Sequence, residues 1–447
     1  MTDRPAQVQP GANYKGPTLR VDIIATAAFA IYVVLHYVLL LISRNYAPSY
    51  LDEATAVILL PLALYYAVTP RGWVPAVLFT GYAALLIIGG IQSTYGGVEQ
   101  PKAAIIATVL DTKLFIFVLG LCAVMNRLDR PVDMFRTLFL AMIGIGIINL
   151  PFVVLDLVRG VDLHGDVLLH KSSLPLPRGL FHHHTELAWL YCIAAFGAYT
   201  LFQIKNNVRL LALTAVFAVA VLLTVSIKEI VGLGIGLILI SGKAKRGGHL
   251  GTALIGLSIA AAATVVLFTT GFGAAILNHA SMFVGGHAIP NVRAGMTEAS
   301  WLIANQHFPL GSGGGTFGSA PSYQGGYSEV YYAYGINTLY GGSREYSGYL
   351  QDVFWPKIVG EGGWIGFVLY AGFLLLFVQR LVTKPARSSQ GDPLQRFSLA
   401  IVVLVFVVST ASAPFTNELL IFFMALALGY GSRARHLATQ RATPRRP

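Results

Sequence analysis

Runs of about 20 apolar residues recur along almost the whole chain and fix what it can fold into. A helix crossing a bilayer core needs about that length, because lipid offers the backbone no hydrogen-bond partners. Twelve runs reach or approach it: 21–43, 53–69, 73–91, 105–125, 134–158, 183–204, 208–224, 227–241, 250–272, 361–380, 397–413 and 415–432. The expected fold class is an all-α polytopic membrane protein with about twelve transmembrane helices. The pair 208–224 and 227–241 reads either as two crossings or as one broken pair. Composition agrees: 55% of residues are hydrophobic and 11% charged, against about 25% charged in an ordinary soluble domain. Residues 1–20 are polar and lack a signal-peptide core, so the first run reads as an uncleaved span.

The net charge of +11 is distributed as an orientation signal. Most Lys and Arg residues, among them Arg71, Arg127, Arg130, Arg380, Arg396 and Arg433, fall in alternate loops. Both termini are therefore expected in the cytoplasm, and the single long polar stretch, 273–360, outside. The chain divides into a cytoplasmic tail 1–20, spans one to nine within 21–272, the outer loop 273–360, spans ten to twelve within 361–432, and a basic tail 433–447. No nucleic-acid partner is expected. Cys122 and Cys192 lie in apolar runs and imply neither a disulfide nor a thiol metal site.

The outer loop is too long to be a plain connection. Trp301, Phe308, Phe317, Trp355 and many tyrosines give it surface to bury, so it is expected to be ordered. A helix is expected from Arg293, with Met296, Ser300, Trp301 and Ala304 at helical spacing and Pro309 ending it. Gly311 to Gly318 lacks the ending of a Walker loop; it reads as a turn cluster or as an anion-binding nest.

Orientation does not explain the outward basic residues Arg178, Lys228, Arg293, Arg344 and Lys357. Lys228 is either half of an interfacial pair with Glu229 or a phosphate ligand. The run His182-His183-His184 places adjacent side chains about 100° apart on a helix, so no metal site is expected. His182 and Glu186 would share a helical face. The cluster reads as a polar site beside Arg178 or as an inert interfacial group. Asp111 and Lys113 interrupt the fourth span, two apart and so on different faces. With Asp156 and Glu418 they are few for a coupled transporter.

Several motifs in this order resemble the O-antigen ligase and Wzy-type polysaccharide polymerase superfamily of bacterial membrane glycosyltransferases. An Arg-Gly-x-Phe segment (Arg178, Gly179, Phe181) leads into a span. Ser226 and Lys228 start a short span where the family more often has Ser-Arg. Arg293 opens the loop helix and is followed by Pro309-Leu-Gly-x-Gly-x-Gly-x-Phe317. Gly348-Tyr-Leu350 leads to Glu361-Gly-Gly-Trp-Ile-Gly366. The pieces are spread over most of the chain. The resemblance implies a C-type glycosyltransferase-like fold with its site at the outer face of the bacterial inner membrane. It also implies an undecaprenyl-diphosphate-linked oligosaccharide as donor, with no cofactor and no metal. Arg178, Lys228 and Arg293 would hold the diphosphate, with Arg344 beside them. Many members carry a His-Asn pair after the loop; here Glu345-Tyr346-Ser347 stands instead. That departure favours a divergent polymerase, such as one for an exopolysaccharide, over a standard ligase.

In such a reaction an acceptor hydroxyl attacks the anomeric carbon and the lipid diphosphate leaves. Cations stabilise the leaving charge and a base takes the hydroxyl proton. Glu345 is the first candidate for the base, with Glu186 and His184 behind it. Expected partners are the growing polysaccharide, membrane lipids, and flippase and chain-length or export proteins. The competing readings are a ligase with a separate acceptor, a lipid-linked glycan transporter or flippase, and a non-catalytic envelope scaffold.

Overall fold

The computed structural model describes residues 18–42, 47–95, 100–163, 165–171, 174–241, 292–324, 326–383 and 393–442. The expected ninth span (250–272) and the first part of the outer loop (273–291) lie outside the described residues. Eight helices precede that gap: α1 Thr18–Ile42, α2 Ala47–Ala67, α3 Trp73–Ile91, α4 Gln100–Met125, α5 Pro131–Arg159, α6 His184–Lys205, α7 Val208–Leu223 and α8 Ile227–Ser241. After it come α9 Val292–Gln306, the short α10 Pro321–Gln324 and α11 Glu329–Ala333, then α12 Phe354–Val382, α13 Pro393–Val408 and α14 Glu418–Ala442. The two-residue strands β1 His170–Lys171 and β2 Leu174–Pro175 pair antiparallel.

Among the described residues six helices, α1, α3, α4, α5, α6 and α12, are long and apolar enough to cross a membrane; α7 and α13 are shorter apolar helices. The chain is thus a helical protein suited to a membrane. The pair 208–224 and 227–241 is two separate helices, joined by a turn in which Val225 takes a left-handed φ of 55°. The tenth run begins at Phe354 rather than 361, because Lys357 and Glu361 lower its hydropathy although both are buried. The twelfth starts at Glu418 and continues past its apolar part to Ala442.

The two ends of the bundle differ chemically. At one end arginines satisfy carbonyls of helix C-termini and of the turn between α2 and α3. Arg380 donates to Arg71 O at 2.9 Å and Arg433 to Met125 O at 2.6 Å. Arg396 reaches Ile240 O and Ser241 O at 3.3 Å. Toward the other end lie the buried ionic groups Asp52, Asp111, Lys113, Asp156, Glu229, Lys357 and Glu361. Residues 292–353 pack over that end. They hold their own small core of Met296, Ile303, Phe317, Val330, Tyr331, Ile336 and Leu350.

The glycine-rich segment joins this cap to the bundle. Ser312 N–H and Gly313 N–H donate to Gly360 O and Glu361 O, and Gly314 N–H donates to Leu86 O, at 2.9 to 3.1 Å. α12 makes room through a non-helical Gly363 (φ 60°, ψ −162°), where a Cβ would lie 2.4 Å from Gly311 N and Pro309 O. Gly313 adopts φ 93° and its missing Cβ would meet Gly89 O at 2.3 Å. The segment is therefore a docking turn. The amides of Ser312, Gly313 and Gly314 go to backbone carbonyls, that of Phe317 to the Glu361 carboxylate and that of Gly318 to the Tyr331 hydroxyl, so these five are not turned toward a common anion.

Gly313→Ala is expected to cost roughly 1–3 kcal/mol through strain and steric conflict. Thermal unfolding in lipid nanodiscs should show a lowered midpoint. Gly144→Ala, in α5 with nothing within 4 Å, should leave the midpoint unchanged or raised; equal behaviour of the two variants would contradict this account.

Candidate functional site

Arg178 is positioned by the end of α5. Asp156 Oδ2 accepts the N–H groups of Arg178 and Gly179 at 2.8 and 2.6 Å. Asn149 Oδ1 accepts Leu180 N–H at 2.9 Å. Gly179 has φ 60°, and a Cβ there would stand 2.5 Å from Asn149 Oδ1. Phe181 is buried edge-on to Tyr37 with ring centres 5.5 Å apart. The Arg-Gly-x-Phe segment is thus a tight, capped turn that presents a guanidinium. Its Nη1 donates to Asp162 Oδ2 at 3.3 Å.

Lys228 lies in the first turn of α8. Its ammonium donates to Ala411 O at 2.9 Å and to Ser412 Oγ, in the turn before α14. Glu229 Oε1 stands 3.9 Å away and accepts Trp189 Nε1–H at 3.0 Å. Lys228 therefore pairs with Glu229, as one of its two expected readings has it, and is also tied to the turn at 411–412. Arg293, in the first turn of α9, donates through Nη2 to Asp352 Oδ2 at 2.5 Å. Its guanidinium lies over Tyr349, 5.5 Å from the ring centre.

These three cations belong to one region. Asp352, Lys228 and Arg178 all act electrostatically on His183, and Asp352 and Arg293 act on Lys228. His183 is solvent-accessible, yet the protein mass around it pushes its pKa below the ordinary value; Asp352 opposes that shift, and Lys228 and Arg178 add to it. The imidazole is thereby held neutral. Its Nδ1 accepts Thr185 N–H at 3.2 Å as the N-cap of α6, so the ring proton sits on Nε2.

Arg344 and Glu345 are exposed on the turn after Gly342. Glu345 acts electrostatically on Tyr327. Asp352 is a carboxylate against Arg293, and no motif of the sequence singles it out. His182 precedes α6, which starts at His184, so the expected shared helical face with Glu186 does not form. Glu186 is in the first turn of α6, with Oε2 shut in among protein atoms and no hydrogen-bond partner. Rings of His183 and His184 lie 4.1 Å apart. Among the described residues no three His, Cys, Asp or Glu side chains converge as a metal-binding group.

Asp111 and Lys113 serve two different neighbours, as their spacing requires. Asp111 pairs with Lys357 of α12, and Lys113 with Asp52 of α2 at 2.6 Å. Beside Lys357, Glu361 Oε1 accepts Phe317 N–H at 2.9 Å and Ser319 Oγ–H at 2.7 Å. Lys357 is thus a structural cation inside the bundle rather than a member of the Arg178 group.

Neither a family model nor a curated protein matches the sequence. Lys357→Met is expected to destabilise the protein by about 3–5 kcal/mol, since it leaves a buried carboxylate uncompensated. Lys357→Met/Asp111→Asn should recover much of that loss. Equal unfolding midpoints for the single and double variants would contradict the pairing.

Proposed function

We propose that the protein is a metal-independent membrane glycosyltransferase with a polyprenyl-diphosphate-linked sugar as donor. More narrowly, we read it as a polysaccharide polymerase that joins undecaprenyl-diphosphate-linked repeat units at the periplasmic face of a bacterial inner membrane. The observation that carries this reading is the grouping of Arg178, Lys228 and Arg293 with His183 and Asp352 at one bundle end, under a packed cap. Such a group offers fixed positive charge and N–H donors where a diphosphate headgroup would enter from the membrane. A guanidinium has five donors, so one carboxylate contact does not exhaust it. A transporter needs a polar path between both ends, whereas the buried ionic groups described above gather toward one.

In the proposed step, the acceptor hydroxyl oxygen forms a bond to the anomeric carbon. The bond from that carbon to the diphosphate oxygen breaks, and its electron pair leaves with the diphosphate. Arg178, Lys228 and Arg293 stabilise the departing charge, and His183 Nε2–H adds a neutral donor. Asp352 takes the hydroxyl proton. We prefer Asp352 to Glu345 as base because it lies against Arg293, while Glu345 sits on the exposed turn. A single displacement of this kind inverts the anomeric centre.

Arg293→Ala should lower polymer yield in the host by roughly 10²–10³-fold, the usual cost of one charge-stabilising donor, with membrane insertion intact. Asp352→Asn should cost about 10²–10⁴-fold, and Glu345→Gln should stay within a few-fold of wild type. Full yield from Arg293→Ala would remove it as a diphosphate ligand; loss with Glu345→Gln alone would return the base to Glu345. EDTA is expected to leave membrane activity unchanged, and rescue of a chelated preparation by a divalent cation would overturn the metal-free chemistry.

A further inference from the structure

Three tyrosines cluster at the edge of the cap, with Tyr349 packed against its core and Tyr340 and Tyr346 exposed. Tyr340 and Tyr346 have ring centres 5.3 Å apart, Tyr346 and Tyr349 5.8 Å, and Tyr340 and Tyr349 6.1 Å. Tyr331 is fully buried in the core of the cap, and Tyr323, Tyr327 and Tyr334 pack partly buried against it. Tyr340, in contrast, is 70% exposed and Tyr346 45%. The rings are inclined at 45° to 82° to one another and so form an open corner. The corner is built by the backbone: Gly341 has φ 83°, and a Cβ there would stand 2.1 Å from Tyr349 Cδ2. The turn that carries Tyr340 is therefore closed directly onto Tyr349.

This corner adjoins the cation group. Tyr349 lies under the Arg293 guanidinium, and Tyr346 is within electrostatic range of Asp352. The hydroxyl of Tyr346 interacts with those of both Tyr340 and Tyr349. Three aromatic rings carrying hydroxyls suit a ligand with apolar C–H faces and a hydroxyl periphery. A lipid chain would waste the hydroxyls.

We propose that Tyr340, Tyr346 and Tyr349 form a saccharide-binding corner, which takes a pyranose unit of the glycan held beside Arg293 and Asp352. The ligand class rests on the function proposed above; the site rests on the exposed, backbone-closed tyrosines. A sugar chain whose reducing end lies among the three cations would pass over Tyr349 toward Tyr346 and Tyr340. The corner then contributes to holding the glycan in register, while the cations hold the diphosphate.

The test uses full-length protein in nanodiscs with two probes. One is the free oligosaccharide released by mild acid from the polyprenyl-linked pool of the source cells; the other is undecaprenyl diphosphate. Wild type should bind both, with saturation transfer to sugar C–H protons. Tyr340→Ala/Tyr346→Ala should bind the oligosaccharide at least tenfold more weakly and undecaprenyl diphosphate as wild type does. Tyr340→Phe/Tyr346→Phe, which keeps the rings, should retain most of the saccharide binding. Tyr340→Ala alone, at the most exposed of the three, should give a several-fold loss and serves as the readout if the double alanine variant misfolds. Unchanged oligosaccharide affinity in the alanine variants, or no oligosaccharide binding by wild type, overturns the corner even where undecaprenyl diphosphate binds. Saccharide binding lost in the alanine variants, with no undecaprenyl diphosphate binding by wild type, leaves the corner standing and removes the diphosphate-donor reading.

Discussion

One buried carboxylate ties the cap to the helices beneath it. Glu361, near the start of α12, accepts the Phe317 amide and the Ser319 hydroxyl through a single oxygen. Its own carbonyl and that of Gly360 accept the amides of Gly313 and Ser312. Buried polar groups left unpaired are costly, so these bonds hold the segment 311–319 at one height on the bundle. α9 and the tyrosine-rich turns stand on that segment. The position of Arg293 relative to Arg178 and Lys228 therefore follows from it. The non-helical Gly363 and the left-handed Gly311 and Gly313 are what permit so close an approach.

The helices were largely legible because apolar periodicity and length dominate in a lipid-soluble chain. α7 and α8 were placed to within a residue, and α9 began and ended near Arg293 and Pro309 as its spacing requires. The start of α12 was not legible, since Lys357 and Glu361 look like loop residues until the buried partners of each are known. Arg178, Lys228 and Arg293 stood out as basic residues that orientation does not explain, and the structure places them in one region. Asp352 carried no such signal: it lies 59 positions from Arg293 and meets it only through the fold. His183 was visible merely as one of three histidines; its distinction is the Thr185 amide that fixes its tautomer. The glycine-rich segment misled in the other direction, since glycine serves backbone docking as readily as anion binding.

The charges toward this end fall into two sets with separate work. Asp111 with Lys357, and Asp52 with Lys113, are enclosed pairs that join α4 to α12 and to α2. Such pairs hold geometry more than they stabilise. Arg178, Lys228, Arg293 and His183 instead border the cap and remain partly open to solvent. The division matters for the proposed function, which assigns the binding of a lipid headgroup to the second set alone.

The central claim is that this end of the bundle transfers a glycan from a lipid diphosphate. The most direct measurement is reconstitution of purified protein in lipid with an undecaprenyl-diphosphate-linked repeat unit from its own source, with products resolved by size. The account predicts a ladder of lengthening lipid-linked glycans and release of undecaprenyl diphosphate. No glycosidic bond formation with a confirmed native donor, together with movement of that donor across the bilayer, would contradict it.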